Sequence, residues 1–261
     1  MISAQILDAA LFEPLALRER LGQSGLVFFE DIAEARLAAT LSELGSVCAH
    51  PDADEQGTTT LQISRGRGAG PVQDGKLGLT PGALFPHTDR SVMDAPPAIL
   101  AFWCVSPARN GGLSTFVDGR RIYERLRRDR PDAIAILETP GHFLFRYGDT
   151  FCSHSVFEPV PGGRRRLRFR RDNFFYATPS AWRHLERLLA LIEENTIQLL
   201  LGAGQGYVVQ NSRWLHGRTR FLGSRTCKRL LVEAGPQAAE LDSFAPIADA
   251  RSETQWLWAG S

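Results

Sequence analysis

The stretch that decides the fold is LFPHTDRS, residues 84–91. Pro86 biases Phe85 towards an extended backbone, and residues two apart in a strand project to one face. His87 and Asp89 therefore point the same way if this segment is extended. Another histidine, His216, lies far downstream in NSRWLHGRTRF, residues 211–221. Two imidazoles and one carboxylate suit a divalent metal with open coordination positions, the donor set of non-haem iron oxygenases. A histidine near an aspartate at a strand end also makes an ordinary ion pair, so the pair needs its context.

Outward from that stretch, the chain reads as short apolar runs broken by turns. PPAILAFWCVSPARNGGLSTFVDG (96–119) predicts a strand pair around a Pro- and Gly-containing turn. GGRRRLRFRRDNFF (162–175) alternates with period two and predicts a strand. GYVVQNSRWLHG (206–217) and KRLLVEA (228–234) add two more. A helix is expected from Pro14 up to a glycine stop, followed by a strand at Leu26 to Phe29, with a second helix in 33–50. Residues 120–138 predict two short helices broken at Pro131, and 179–201 the longest helix, opened by Pro179. Many short strands with helices early and in the middle predict a mainly β protein with flanking α-helices, a sandwich or barrel. No G-x-G-x-x-G follows a strand, and GRGAGPVQDG (66–75) lacks the helix of a phosphate cradle.

At 43% hydrophobic and 23% charged, the 261 residues can build a core, and no linker or repeat divides them, so one domain over 1–261 is expected. Thirty basic and 29 acidic residues leave +1, which gives no field towards nucleic acid or anionic lipid. Neither a secretory leader nor an apolar run of the eighteen or so residues that cross a bilayer is visible. Four scattered cysteines without a C-x-x-C pair read as the reduced thiols of a cytoplasmic protein. A Gly-rich insertion at about 65–83 is expected to form a lid over a functional site.

PHTDRS, the 96–119 stretch, VVQNSRWLHGRTRF and KRLLVE together resemble the taurine dioxygenase and clavaminate synthase superfamily of Fe(II)/2-oxoglutarate-dependent oxygenases. The likeness runs from about Leu21 to Val232, with its parts in the family's order. It implies a double-stranded β-helix, or jelly roll, with His87, Asp89 and His216 as iron ligands. It places Ser114, where Thr is usual, and Arg229 on the co-substrate 2-oxoglutarate, with Arg225 and, less so, Lys228 as competitors for the clamp. A planar guanidinium suits a carboxylate because it grips with two parallel hydrogen bonds. The implied reaction uses O₂ to decarboxylate 2-oxoglutarate to succinate and CO₂ while hydroxylating an unactivated C–H bond of a small molecule. An amino acid or related acid is expected, in a setting such as secondary metabolism. Asp89 stands where family halogenases carry a small residue, which favours hydroxylation; desaturation, cyclisation and epoxidation remain open, as does a non-catalytic cupin-like metal protein.

The arginines 164–166, 168, 170 and 171 have two readings. One is an edge strand kept soluble by charge. In the other, Arg170 and Asp172 grip a zwitterionic or anionic substrate, as on the substrate-side strand of clavaminate-type enzymes. Nucleic-acid binding ranks below both, since few aromatics interleave. Arg218 either braces the site or makes a surface ion pair. Asn211 reads as a turn residue behind His216, Phe102 or Trp103 as a candidate pocket wall, and His184 as solvated. His50, His142 and His154 lack ligand-like partners.

Overall fold

The computed structural model describes residues 6–7, 12–48, 52–63 and 77–247. The expected lid-like insertion falls largely outside these residues; its described end opens with the short turn Leu77–Leu79. Leu26–Glu30 (β1), with four apolar residues in a row, is buried on both sides. Such a run belongs in the middle of a sheet. It pairs with Ile6–Leu7 on one flank and Gln205–Gln210 (β13) on the other. Beyond β13 come Ile99–Ser106 (β5) and Arg225–Ala234 (β15), which in turn takes both Gly45–Val47 (β2) and Thr59–Ile63 (β3), seven strands in all. A smaller sheet runs Ile197–Leu199 (β12), Ser114–Asp118 (β6), Trp214–Arg218 (β14), Leu84–His87 (β4). Its Pro86 sits on an edge strand, where a missing N–H costs no ladder bond.

Alternation along each strand sorts the apolar residues into three cores. Phe28, Leu100, Tyr207, Val209 and Leu231 of the large sheet meet Phe116 of the small one, so the two sheets face each other. The opposite side of the large sheet (Val27, Phe29, Ala101, Val208, Leu230) packs under Pro14–Ser24 (α1) and Glu34–Ser42 (α2). The opposite side of the small sheet (Val117, Leu215) packs under Gly119–Asp129 (α3), Pro131–Leu137 (α4) and Pro179–Glu194 (α5). The result is a jelly roll of two facing sheets with helices on both outer sides. Three further strands, Phe143–Tyr147 (β7), Thr150–Ser153 (β8) and Phe175–Ala177 (β11), form a small sheet over the helical core. Among the described residues no helix is long and apolar enough to cross a membrane.

Three local expectations change. The two runs in 96–119 form β5 and β6, but in opposite sheets rather than as a pair. Between them Gly111 and Gly112 are both left-handed (φ 74° and 73°), and a Cβ on Gly111 would lie 2.2 Å from the Arg220 carbonyl. That crossing needs glycine, and it drops the chain to the facing layer. Helix α5 stops at Glu194 because Asn195 and Thr196 turn their side chains on to the carbonyls of Leu191 and Ile192 (2.7 and 2.6 Å), freeing Ile197–Leu199 as β12. The strand in 162–175 is limited to Arg164–Leu167 (β10), hairpinned with Phe157–Val160 (β9).

One buried ion pair ties the layers. Arg213, between β13 and β14, donates from Nε and Nη2 to the two oxygens of Asp118 (2.9 and 2.7 Å), which also caps α3 through the Arg120 amide. Replacing Arg213 by Met strands a buried carboxylate. We expect a loss of roughly 3–5 kcal/mol in urea unfolding, and Asp118→Asn to cost less because the amide keeps a cap.

Candidate metal centre and its cavity

His87 is the last residue of β4, and His216 sits directly opposite it in β14. Asp89 lies two residues beyond His87 in a turn, so the turn, not strand alternation, swings its carboxylate between the imidazoles. Asp89 Oδ1 is 3.4 Å from His87 Nε2 and 3.6 Å from His216 Nε2, and one donor atom from each residue lies within 4.8 Å of the others. The three sequence-predicted ligands therefore converge. Gly217 lets the strands approach: a Cβ there would sit 2.4 Å from the Leu84 carbonyl and 2.8 Å from Thr115 Oγ1.

The turn is held from behind. Asn211 accepts from the Asp89 amide through Oδ1 (2.8 Å) and donates Nδ2 to the Asp89 and Pro97 carbonyls (3.1 and 2.8 Å). It thus grips the peptide of Asp89 itself, a role its place in the sequence does not reveal. Arg90, next along, is left-handed (φ 58°), a strained choice for a non-glycine residue near a site. Arg168, completely buried, donates to the carbonyls of Ser91 (3.3 Å), Met93 and Asp94 (2.6 Å), while its Nε donates to Glu158 (3.0 Å).

Protonation favours metal binding. His87 Nδ1 lies 2.9 Å from the Phe85 carbonyl; donating there assigns the proton to Nδ1 and leaves Nε2 a lone pair towards the cluster. Burial pushes the His216 imidazole down, keeping it neutral. Burial opposes charge on Asp89, but the Arg229 guanidinium and then the two adjacent imidazoles hold its carboxyl well below the usual range. Two imidazoles and one carboxylate within bonding reach of a common point fit a divalent metal.

The cluster opens into a cavity of about 290 Å³. Ser114 and Phe102 line it, whereas Thr115 turns away and Trp103 packs against the helices. Arg229, the expected co-substrate clamp, lines it too, but its Nη1 is on Asp89 Oδ2 at 2.7 Å. Arg225 is buried, stacks over Phe102 and Phe221 (5.4 and 5.8 Å), and has no carboxylate partner among the described residues. Arg218 pairs across from Ser114 and donates to the carbonyls of Gly78 (3.4 Å), Thr80 and Gly82 (3.0 Å), so it braces the 78–82 loop. Burial first and Arg225 next push its guanidinium down to about 10.

The arginine run separates residue by residue. Arg164 donates to Ser243 and Glu240, Arg165 to Glu138, and Arg166 to Glu158 and Asp242. These are internal fasteners rather than an exposed edge. Arg170 and Asp172 do line the cavity, locked to each other by 2.8 and 2.5 Å contacts, with Arg170 over Phe174. His184, expected in solvent, is buried with Nδ1 3.7 Å from Asp132. His142 bonds Thr178 (3.1 Å), His154 lies 3.5 Å from Asp94, and His50 is outside the described residues. The four cysteines are free thiols.

The taurine catabolism dioxygenase TauD, TfdA family matches residues 5–233. The chain belongs to that family. Among TauD, TfdA relatives, a gamma-butyrobetaine dioxygenase of Pseudomonas sp. (strain AK-1) is 32% identical over 148 residues, 52% of this chain and 38% of that protein. The human gamma-butyrobetaine dioxygenase is 28% identical over 179 residues, 62% and 46% of the two chains. A uridine-5'-phosphate dioxygenase of Streptomyces is 29% identical over 163 residues, 57% and 59%. The chain thus spans about half the length of these relatives. An asparagine oxygenase solved with Fe(II), 3-hydroxyasparagine and succinate superposes with TM-score 0.70 at 15% identity, covering 90% of this chain and 84% of that one. A taurine dioxygenase from Burkholderia xenovorans gives 0.62 at 19%, covering 86% and 84%. Both share the TauD jelly roll.

Removing the Asn211 grip frees the Asp89 turn without touching a ligand atom. Asn211→Ala is expected to weaken Mn(II) or Fe(II) binding by about 10- to 100-fold, measured anaerobically by calorimetry. His87→Ala and His216→Ala should abolish it, and a His87→Ala protein that binds metal like the wild type removes His87 from the ligand set.

Proposed function

We propose that this chain is an Fe(II)- and 2-oxoglutarate-dependent oxygenase that hydroxylates a small molecule, an amino acid or related acid, within one domain and in the cytoplasm. The observation that carries the reading is the adjacency of two unlike features. An imidazole and carboxylate cluster opens on to a cavity that also holds buried guanidiniums, one of them without a carboxylate partner among the described residues. A metal site alone has no use for Arg225; a chelating dicarboxylate does. Family membership and relatives named for dioxygenase activity support the same reading. The cavity volume, at the small end of ligand sites, favours a compact substrate. The pairing of the basic run into internal contacts leaves little for nucleic acid.

His87, Asp89 and His216 would hold the iron. Bound there, it would supply the oxygen chemistry, with 2-oxoglutarate as the source of two electrons. The chain's own residues orient and exclude. Ser114 and a guanidinium take the far carboxylate of 2-oxoglutarate. Between the two candidates, charge pairing favours Arg225: Arg229 already has the Asp89 carboxylate on its Nη1, although its Nε keeps no partner among the described residues, so it sets the charge and rotamer of Asp89. Arg218 holds the 78–82 loop against the cavity, limiting water. The Arg170–Asp172 pair presents a cation and an anion side by side on the substrate's side, a match for the carboxylate and ammonium of an amino acid.

Under anaerobic conditions, Fe(II) plus 2-oxoglutarate should give the visible charge-transfer band of a chelated keto acid, and aerobic incubation with amino acids should release succinate. Arg225→Ala should raise the KM for 2-oxoglutarate about tenfold or more, the scale of a lost charge-assisted hydrogen bond, with a modest effect on kcat. Arg229→Ala should chiefly lower kcat and metal retention. Reversal of those two profiles returns the clamp to Arg229.

A further inference from the structure

Tyr207 is a polar side chain in the cavity that the reading above leaves without work. It lies in β13, paired across the ladder with Phe102 of β5, which is paired in turn with Arg229 of β15. Residues directly opposed across neighbouring strands share a face, so all three look towards the small sheet. The phenol ring stacks on Phe102 (centroids 5.3 Å apart, 22° between planes) and meets the edge of Phe116 at 4.7 Å and 88°. Two aromatic neighbours fix the ring, and with it the position of the hydroxyl.

That hydroxyl is unusually placed. Tyr207 is 2% exposed and lines the cavity, yet its oxygen has no hydrogen-bond partner among the described residues. An oxygen that is open to the cavity rather than sealed in the core takes its partner from what enters the cavity. The Arg225 guanidinium stands over the same Phe102 ring, 5.4 Å from its centroid. Burial also keeps the phenol protonated and hence a donor. A single fixed O–H near a buried cation that has no carboxylate partner among the described residues is arranged for an anionic oxygen.

We propose that Tyr207 Oη donates a hydrogen bond to the distal carboxylate of 2-oxoglutarate, completing with Arg225 and Ser114 a three-sided anion seat. This rests on the co-substrate reading given above. The seat divides labour along the cavity: Arg229 and the imidazoles address the metal end, Tyr207 and Arg225 the far end.

The test compares wild type with Tyr207→Phe, loaded with Fe(II) without oxygen and titrated by the charge-transfer band. Two ligands are used: 2-oxoglutarate, and 2-oxobutyrate, which chelates through the same keto acid but lacks the distal carboxylate. The expected result is a roughly tenfold loss of 2-oxoglutarate affinity with 2-oxobutyrate affinity unchanged. The ligand-free variant should melt no lower than wild type, because the change removes a hydroxyl that bonds no described residue. Unchanged 2-oxoglutarate affinity overturns the proposal, as does an equal loss for both ligands, which would assign the phenol to the metal end. A wild type that gives a band with neither ligand sinks the oxygenase reading itself, and that outcome is distinct from either.

Discussion

Everything around the site depends on keeping one carboxylate charged where water is scarce. Asp89 is almost fully buried, and burial alone would neutralise it. What prevents this is the company it keeps: the Arg229 guanidinium on one oxygen and two imidazole nitrogens near the other. The same contacts aim the carboxylate. A metal ligand must be both ionised and pointed, and here one set of neighbours serves both needs.

The second constraint is the reverse problem, too many cations in one place. Arg218, Arg225 and Arg229 share a cavity wall, and burial first, then the neighbouring Arg225, lowers the affinity of Arg218 for its proton. Each is handled differently. Arg229 is neutralised by Asp89, Arg218 spends its donors on loop carbonyls, and Arg225, without a carboxylate partner among the described residues, is cushioned by aromatic faces. Ring faces stabilise a cation without quenching it, so Arg225 keeps its pull on an incoming anion. The aromatic cluster of Phe102, Phe116 and Tyr207 is thus core packing and cavity wall at once.

How the ligand turn is held shows where linear reading stops. PHTD is visible as a motif because its chemistry is carried by residue type. The supports for it are not: Asn211, 122 positions away, and Arg168, 79 positions away, act through backbone carbonyls and amides. A hydrogen bond to a main-chain group leaves no trace in the identity of the residue it reaches. Period-two reasoning placed Arg168 with its neighbours in a charged edge, yet its fully buried guanidinium organises the loop after Asp89. His184 is the same lesson in small: a polar residue on a helix was read as solvated, and a facing helix covered it.

By itself the sequence determined the residue types and their order: the His-x-Asp and the late histidine, the paired glycines at the crossing, the apolar alternation that calls for two sheets, and a charge near zero. These are local or compositional facts, set by side-chain chemistry and backbone sterics that do not depend on what lies across the fold. Which arginine is free, which carries a ligand's counter-charge, and which strands face rather than pair were decided only by the tertiary structure. Those outcomes turn on distances between residues far apart in the chain, and burial, not identity, sets how strongly each charge is felt.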